Sequence, residues 1–247
     1  MQTTICENTK PINIGGFQSL KRLLTPGPTL QFHSAASNKR DAVENYIADQ
    51  FNRIYGANIR DFMPLFLSMT CQTSLITAVG LRPAHQQSLF LEQYLPRPIE
   101  TFVSTVAGNT VNRNQITEIG NLVATQRGAI QLLFLMLTAV LQRTHFEWVV
   151  FTATPQVHKM MTRMGMQLHE LYEADPTLLK RSHISEWGSY YDSRPKVVTV
   201  NVNDAMDCLL QRSGYRNAIS LYQSRIQTLA TMMNNQSNGD DQHTFSA

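Results

Sequence analysis

The sequence predicts an α/β domain, and three stretches carry that prediction. Gln115 to Phe151 reads as strand (Gln115–Ala124), polar turn (Thr125–Gly128), buried helix (Ala129–Arg143) and strand (Glu147–Phe151). Such a βαβ unit places neighbouring parallel strands in a sheet covered by helices. Pro64–Thr70 and Ser74–Arg82, joined by Cys71-Gln72-Thr73, read as an antiparallel hairpin. Lys196–Val202 is a β-branched strand near the end of the chain. Parallel and antiparallel pieces together make the expected sheet mixed.

The remaining elements follow in order. Residues 1–27 form an N-terminal arm around the short amphipathic piece Phe17–Leu24. That piece reads as a partly ordered arm, or as a flap or transient membrane contact. Thr29–His33 is a first strand. Asn38–Tyr55 is helical, because Val43, Tyr46, Ile47, Phe51 and Ile54 share one face and Gly56 supplies a stop. Ser88–Tyr94 is a short helix, and Pro96 to Asn114 a long connection. The helix after Gly128 is apolar nearly all round, as a helix inside a protein must be. Thr154-Pro155 starts the next helix, which stops at Gly165, and Met166–Leu171 is another strand. Asn203–Gln211 and Ala218–Met233 are helical, and the polar tail 234–247 is expected to be disordered. The expected organisation is one domain over residues 28–233.

Composition closes several functional routes. The 247 residues carry a net charge of +3 with 16% charged residues, and no basic run exceeds three residues. That is no nucleic-acid footprint. No secretory signal opens the chain, and its longest apolar run falls short of the roughly 20 residues a membrane span needs. The three widely spaced cysteines (Cys6, Cys71, Cys208) suit reduced thiols, so a cytoplasmic location is expected. The histidines lack i,i+4 pairing and no Cys-x-x-Cys occurs, so no metal site is expected. Walker and serine-elbow motifs are also missing.

What remains is Ile116-Thr-Glu118-Ile-Gly120-Asn121-Leu122. A glutamate inside an apolar strand is costly to bury unless paired or used. Gly120 beside it marks a bulge or the close approach of a ligand. Strict alternation puts Glu118 and Asn121 on opposite faces, and a bulge brings them together. The plainer alternative for Glu118 is a structural ion pair with Arg82. At the far end of the strand, Gln126-Arg127-Gly128 leads into a helix N-terminus, where backbone N–H groups and a basic side chain suit an anion.

This strand, the Gln126-Arg127-Gly128-Ala129 turn, the buried helix and the Thr-Pro helix ending Arg163-Met164-Gly165-Met166 resemble the core of GNAT-type N-acyltransferases. Val79-Gly80-Leu81-Arg82-Pro83 and Glu118–Leu122 resemble the acyl-homoserine-lactone synthase branch, with Asn121 in place of that branch's arginine. Leu89–Glu100, Glu118–Leu122, Leu171–Asp175 and Trp187–Tyr191 together resemble the thermostable hemolysin family over residues 28–202. The resemblance implies a mixed sheet splayed at its centre, and an acyl group moving from a thioester to an amine or amino-acid-like acceptor. The implied donor is acyl-CoA, or acyl-phosphopantetheine on an acyl carrier protein, with no permanently bound cofactor.

It also implies roles. Arg127, Gly128 and Ala129 hold the donor phosphate, and backbone at Leu122 and Ala124 pairs with the donor, Leu122 N–H facing the oxyanion. Glu118 takes the amine proton and Arg82 binds an acceptor carboxylate. Asn121, Trp187, Tyr190 and Tyr191 shape the acceptor pocket, or the three aromatic residues equally pack the final strand. Phe134, Met136, Met160, Met161 and Met164 line an acyl tunnel or are plain core. Two other classes stand beside the enzyme: a membrane-active lysin, as the family name suggests, and an inactive acyltransferase fold used for binding.

Overall fold

The computed structural model describes residues 27–126, 128–179 and 184–239. Its strands are β1 (Thr29–His33), β2 (Leu65–Cys71), β3 (Ser74–Pro83), β4 (Ile116–Ala124), β5 (Trp148–Ala153), β6 (His169–Glu173) and β7 (Lys196–Asn201). The helices are α1 (Arg40–Tyr55), α2 (Ile99–Ala107), α3 (Ala129–Leu141), α4 (Pro155–Met164), α5 (Val202–Leu210), α6 (Ser213–Leu221) and α7 (Gln223–Gly239). All seven strands lie in one sheet, in the order β1-β2-β3-β4-β5-β7-β6. Only β4 and β5 run parallel; every other neighbouring pair is antiparallel. The mixed α/β architecture is as the sequence predicts.

The βαβ unit forms because β4 is buried along its whole length and α3 buries every residue but Gln131. Each large apolar side chain so buried contributes on the order of 1.5–3 kcal/mol. Gly128 turns the chain from β4 into α3 at φ 82°, a left-handed conformation that glycine adopts without strain. One apolar cluster packs α3 with α4, α5, α6 and α7 on one face of the sheet. The other face carries α1, α2, a 3-10 turn at Phe90–Tyr94 and the Trp187–Tyr190 segment.

Four boundaries differ from the sequence reading. The connection 96–114 contains α2, whose Ile99, Phe102, Val103 and Val106 fall at helical spacing despite its five β-branched residues. Gly108 ends it at φ 71°. The strand expected at Met166–Leu171 starts at His169 and runs to Glu173, following its register with β7. The helix expected at Ala218–Met233 is two helices meeting at Tyr222, whose hydroxyl donates to the Pro28 carbonyl at 2.7 Å. The last helix extends past the expected end at Met233: α7 continues to Gly239, with Leu229, Ala230 and Met233 buried upstream. The arm piece Phe17–Leu24 and tail residues 240–247 lie outside the described residues.

Candidate functional site

The sheet opens at its centre. β4 and β5 pair only at Ile116↔Trp148, Thr117↔Val149 and Glu118↔Val150. Beyond that row β4 stays with β3 as far as Ala124, and β5 stays with β7 as far as Ala153. The two parallel strands therefore part into a wedge just after Glu118. Asn121 supplies the cause. It sits at φ 50°, at a register shift against Ala78 and Gly80. A bulge of this kind bends its strand and increases the twist. The bulge expected at Gly120 is thus one residue further on.

Glu118 is fully buried at the row where the wedge begins. Its carboxylate accepts from the backbone N–H of Phe90 at 2.9 Å and of Leu91 at 3.0 Å. Arg82 Nη1 lies 3.6 Å away, so the expected ion pair exists, and Arg82 Nη2 is 3.9 Å from the exposed Asp61. Arg82 Nε is buried without a partner. Glu118 thus draws the Phe90–Tyr94 turn over one face of the wedge. Glu92 fixes the same turn from outside, accepting from Leu89 N and Ile99 N and pairing through both oxygens with Arg113 at 2.6 Å. Burial alone would raise the Glu92 carboxyl, but the Arg113 and backbone hydrogen bonds override it and hold it below its ordinary value.

The bulge changes what Asn121 faces. Its Oδ1 accepts from Met63 N at 2.9 Å, on the same side of the sheet as Phe90 and Leu91. Glu118 and Asn121 therefore share a face. Gly80 makes room: a Cβ there would stand 2.5 Å from Met63 Cβ and Cγ and 3.2 Å from Asn121 Oδ1. Gly80→Ala is expected to cost about 1–3 kcal/mol in urea unfolding, by overpacking. An unchanged midpoint would refute this account of the bulge.

Trp187, Tyr190 and Tyr191 pack as an aromatic group on that face. Trp187 meets Phe51 and Phe90 with ring centroids 6.0 and 5.7 Å apart, and the Tyr191 hydroxyl bonds the Tyr94 hydroxyl. Ala174 and Tyr172 also reach this side, Tyr172 against Phe102 at 6.2 Å. The four motifs that resemble the hemolysin family, spread from Leu89 to Tyr191, converge around one half of the sheet.

Leu122 and Ala124 are buried on β4, and Gly128 and Ala129 start α3 at the wide end of the wedge. Arg127 lies outside the described residues. On the opposite face an apolar cavity of about 20 Å³ is lined by Phe134, Met161, Met166, Phe151 and Ala205 among others. Phe134 and Met161 line this small cavity, which has room for about one water molecule and not for an acyl chain; Met136 and Met164 are core, and Met160 packs part-buried on it. Sequence reasoning missed Met63, the Phe90 and Leu91 N–H groups, and Thr152, a fully buried residue on the β5 side of the wedge. Among the described residues no group of His, Cys, Asp and Glu is arranged to hold a metal ion. Nor, among them, is any helix long and apolar enough to cross a membrane.

A mixed sheet parted between two parallel strands, with a glycine turn and buried helix at the mouth, defines an acyltransferase-type fold. The structure is similar to the AHL synthase LasI (14% identity, TM-score 0.51, covering 74% of this chain and 94% of that one). It is similar to FeeM, an N-acyl amino acid synthase from uncultured soil microbes (13%, 0.51, 75% and 97%). It is also similar to BjaI, a CoA-dependent acyl-homoserine lactone synthase with SAM and isopentyl-CoA (12%, 0.50, 78% and 99%). At these identities the likeness establishes the fold. No curated protein matches the chain in sequence. Residues 33–206 match the thermostable hemolysin family, and the chain belongs to it.

Proposed function

We propose that the protein is an N-acyltransferase that moves an acyl group from an acyl-CoA or acyl-carrier-protein thioester to an amine or amino-acid-like acceptor. The observation that carries this reading is the wedge after Glu118↔Val150, with the α3 N-terminus at its mouth. A thioester arm fits between strands whose facing edges no longer pair, because those edges offer amide hydrogen bonds along their length. The N-terminus of α3, at Gly128 and Ala129, takes the donor phosphate, and Arg127, the preceding residue in the sequence, supplies a positive charge. The neighbours named as synthases of acylated amino acids and lactones support the same class of chemistry.

In this reading Glu118 accepts the proton of the attacking amine, directly or through water, with its orientation fixed by the Phe90 and Leu91 N–H groups. Arg82 meets an acceptor carboxylate, and Trp187 and Tyr191 wall the acceptor side. Incubation with long-chain acyl-CoA or acyl-carrier protein and a panel of amines and amino acids is expected to release thiol. Release absent with every donor and acceptor would leave a binding module. Lysis of liposomes by purified protein without an acyl donor would instead support direct membrane action.

A further inference from the structure

Two buried polar atoms stand without partners on the two lips of the wedge. Asn121 Nδ2 belongs to β4 and Thr152 Oγ1 to β5. Both residues are fully buried. Thr152 lies two residues past Val150, the last of β5 to pair with β4, and by alternation shares the face of Trp148 and Val150. Asn121 lies three residues past Glu118, and its bulge turns it to that same face. Allowing for the extra residue of the bulge, the two residues stand at matching positions past the last paired row, on the two strands that part there. The Asn121 orientation is fixed: Oδ1 must be the end that accepts from Met63 N, so the unpartnered end is the NH₂ donor. Buried donors without acceptors cost stability and are rare in folded proteins, so a ligand that supplies the acceptor accounts for both.

Resting on the acyltransferase reading, we infer that Asn121 Nδ2 and Thr152 Oγ1 are side-chain donors to the carbonyl oxygen of the acyl thioester lodged in the wedge. When the amine nitrogen attacks the carbonyl carbon, that oxygen takes the electron pair of the C=O π bond and becomes negative. As the tetrahedral intermediate collapses, the C–S bond breaks. The thiolate leaves as thiol with the proton the amine has lost. Donors placed in advance on a water-poor lip stabilise the oxygen most when its charge is greatest. The left-handed backbone of Asn121, and the glycine opposite that admits it, then serve to aim one amide group.

The test compares two non-reactive acyl-CoA analogues by calorimetry: a ketone with methylene in place of sulfur, and an alkyl thioether lacking the carbonyl. Wild type is expected to bind the ketone roughly tenfold more tightly, as one good hydrogen bond to a buried group allows. Asn121→Gly, which suits φ 50°, is expected to remove most of that preference and lower kcat about 100-fold with little change in KM. Thr152→Val is nearly isosteric and preserves the fold. It is expected to reduce the preference and kcat by about tenfold while raising the melting temperature, because it removes an unpartnered buried hydroxyl. Wild-type turnover with both variants retaining kcat and ketone preference overturns the inference and leaves the acyltransferase standing. Neither analogue binding, with no thiol released by wild type, overturns both.

Discussion

Glu118→Ala is expected to lower stability by about 3–5 kcal/mol, the range for removing one partner of a buried ion pair. The reason is local. The substitution leaves the Phe90 and Leu91 N–H groups without their acceptor and Arg82, almost wholly buried, without its counter-charge. For a domain of this size that corresponds to a fall of roughly 10 °C or more in melting temperature. Glu118→Gln separates the structural from the chemical role. Its carbonyl still accepts from one N–H, its amide faces the other, and the shape is kept, so a smaller loss of about 1–2 kcal/mol is expected. Transfer should nevertheless fall by a factor of roughly 100–10,000, the range for a lost general base. A Glu118→Ala variant that melts with wild type would disprove the account of the turn. A fully active Glu118→Gln variant would remove the carboxylate from the chemistry while leaving its capping role.

The parts of this fold legible in the sequence were those written in local pattern. The apolar run of α3, the Thr-Pro start of α4 and the hairpin around Gln72 each announce themselves within a few residues. The oddity of Glu118 and Gly120 in an apolar strand was also legible, and it pointed to the right place. What was not legible depended on partners distant in sequence. Nothing near Asn121 indicates that Met63, 58 residues earlier, donates to its side chain. Nothing near Phe90 indicates that a glutamate 28 residues later accepts from its N–H. Thr152 drew no notice because a threonine in a β-strand is ordinary; that its hydroxyl is buried without a partner is visible only in the folded structure. The α2 helix was hidden for a different reason. Its apolar spacing was present, but proline and polar neighbours on either side argued for a connection.

Gly188→Ala is expected to be as damaging as the loss of Glu118, from a position with no side chain at all. Gly188 sits at φ 51° and ψ −130°, a region that a residue with a Cβ enters only under strain. The added carbon would stand 1.9 Å from the Tyr55 carbonyl oxygen and 3.0 Å from Gly56 C, both backbone atoms that cannot rotate aside. The segment must therefore lift. It then gives up the Ser189 N–H bond to Tyr55 O at 2.9 Å and the packing of Trp187 on Phe51 and Phe90. Backbone strain and overpacking together predict a loss of about 3–5 kcal/mol. Gly108→Ala is the matched control: its φ is 71°, but a Cβ there meets nothing within 4 Å, so only the strain remains, about 1–2 kcal/mol. The difference between the two variants measures the seating of the Trp187–Tyr191 segment on the end of α1. If that segment walls the acceptor side, Gly188→Ala protein that stays folded in the cold should show a raised acceptor KM with the donor KM nearly unchanged. Equal losses in Gly188→Ala and Gly108→Ala would mean that the segment is not held by this contact. Equal rises in both KM values would place its effect on the wedge as a whole.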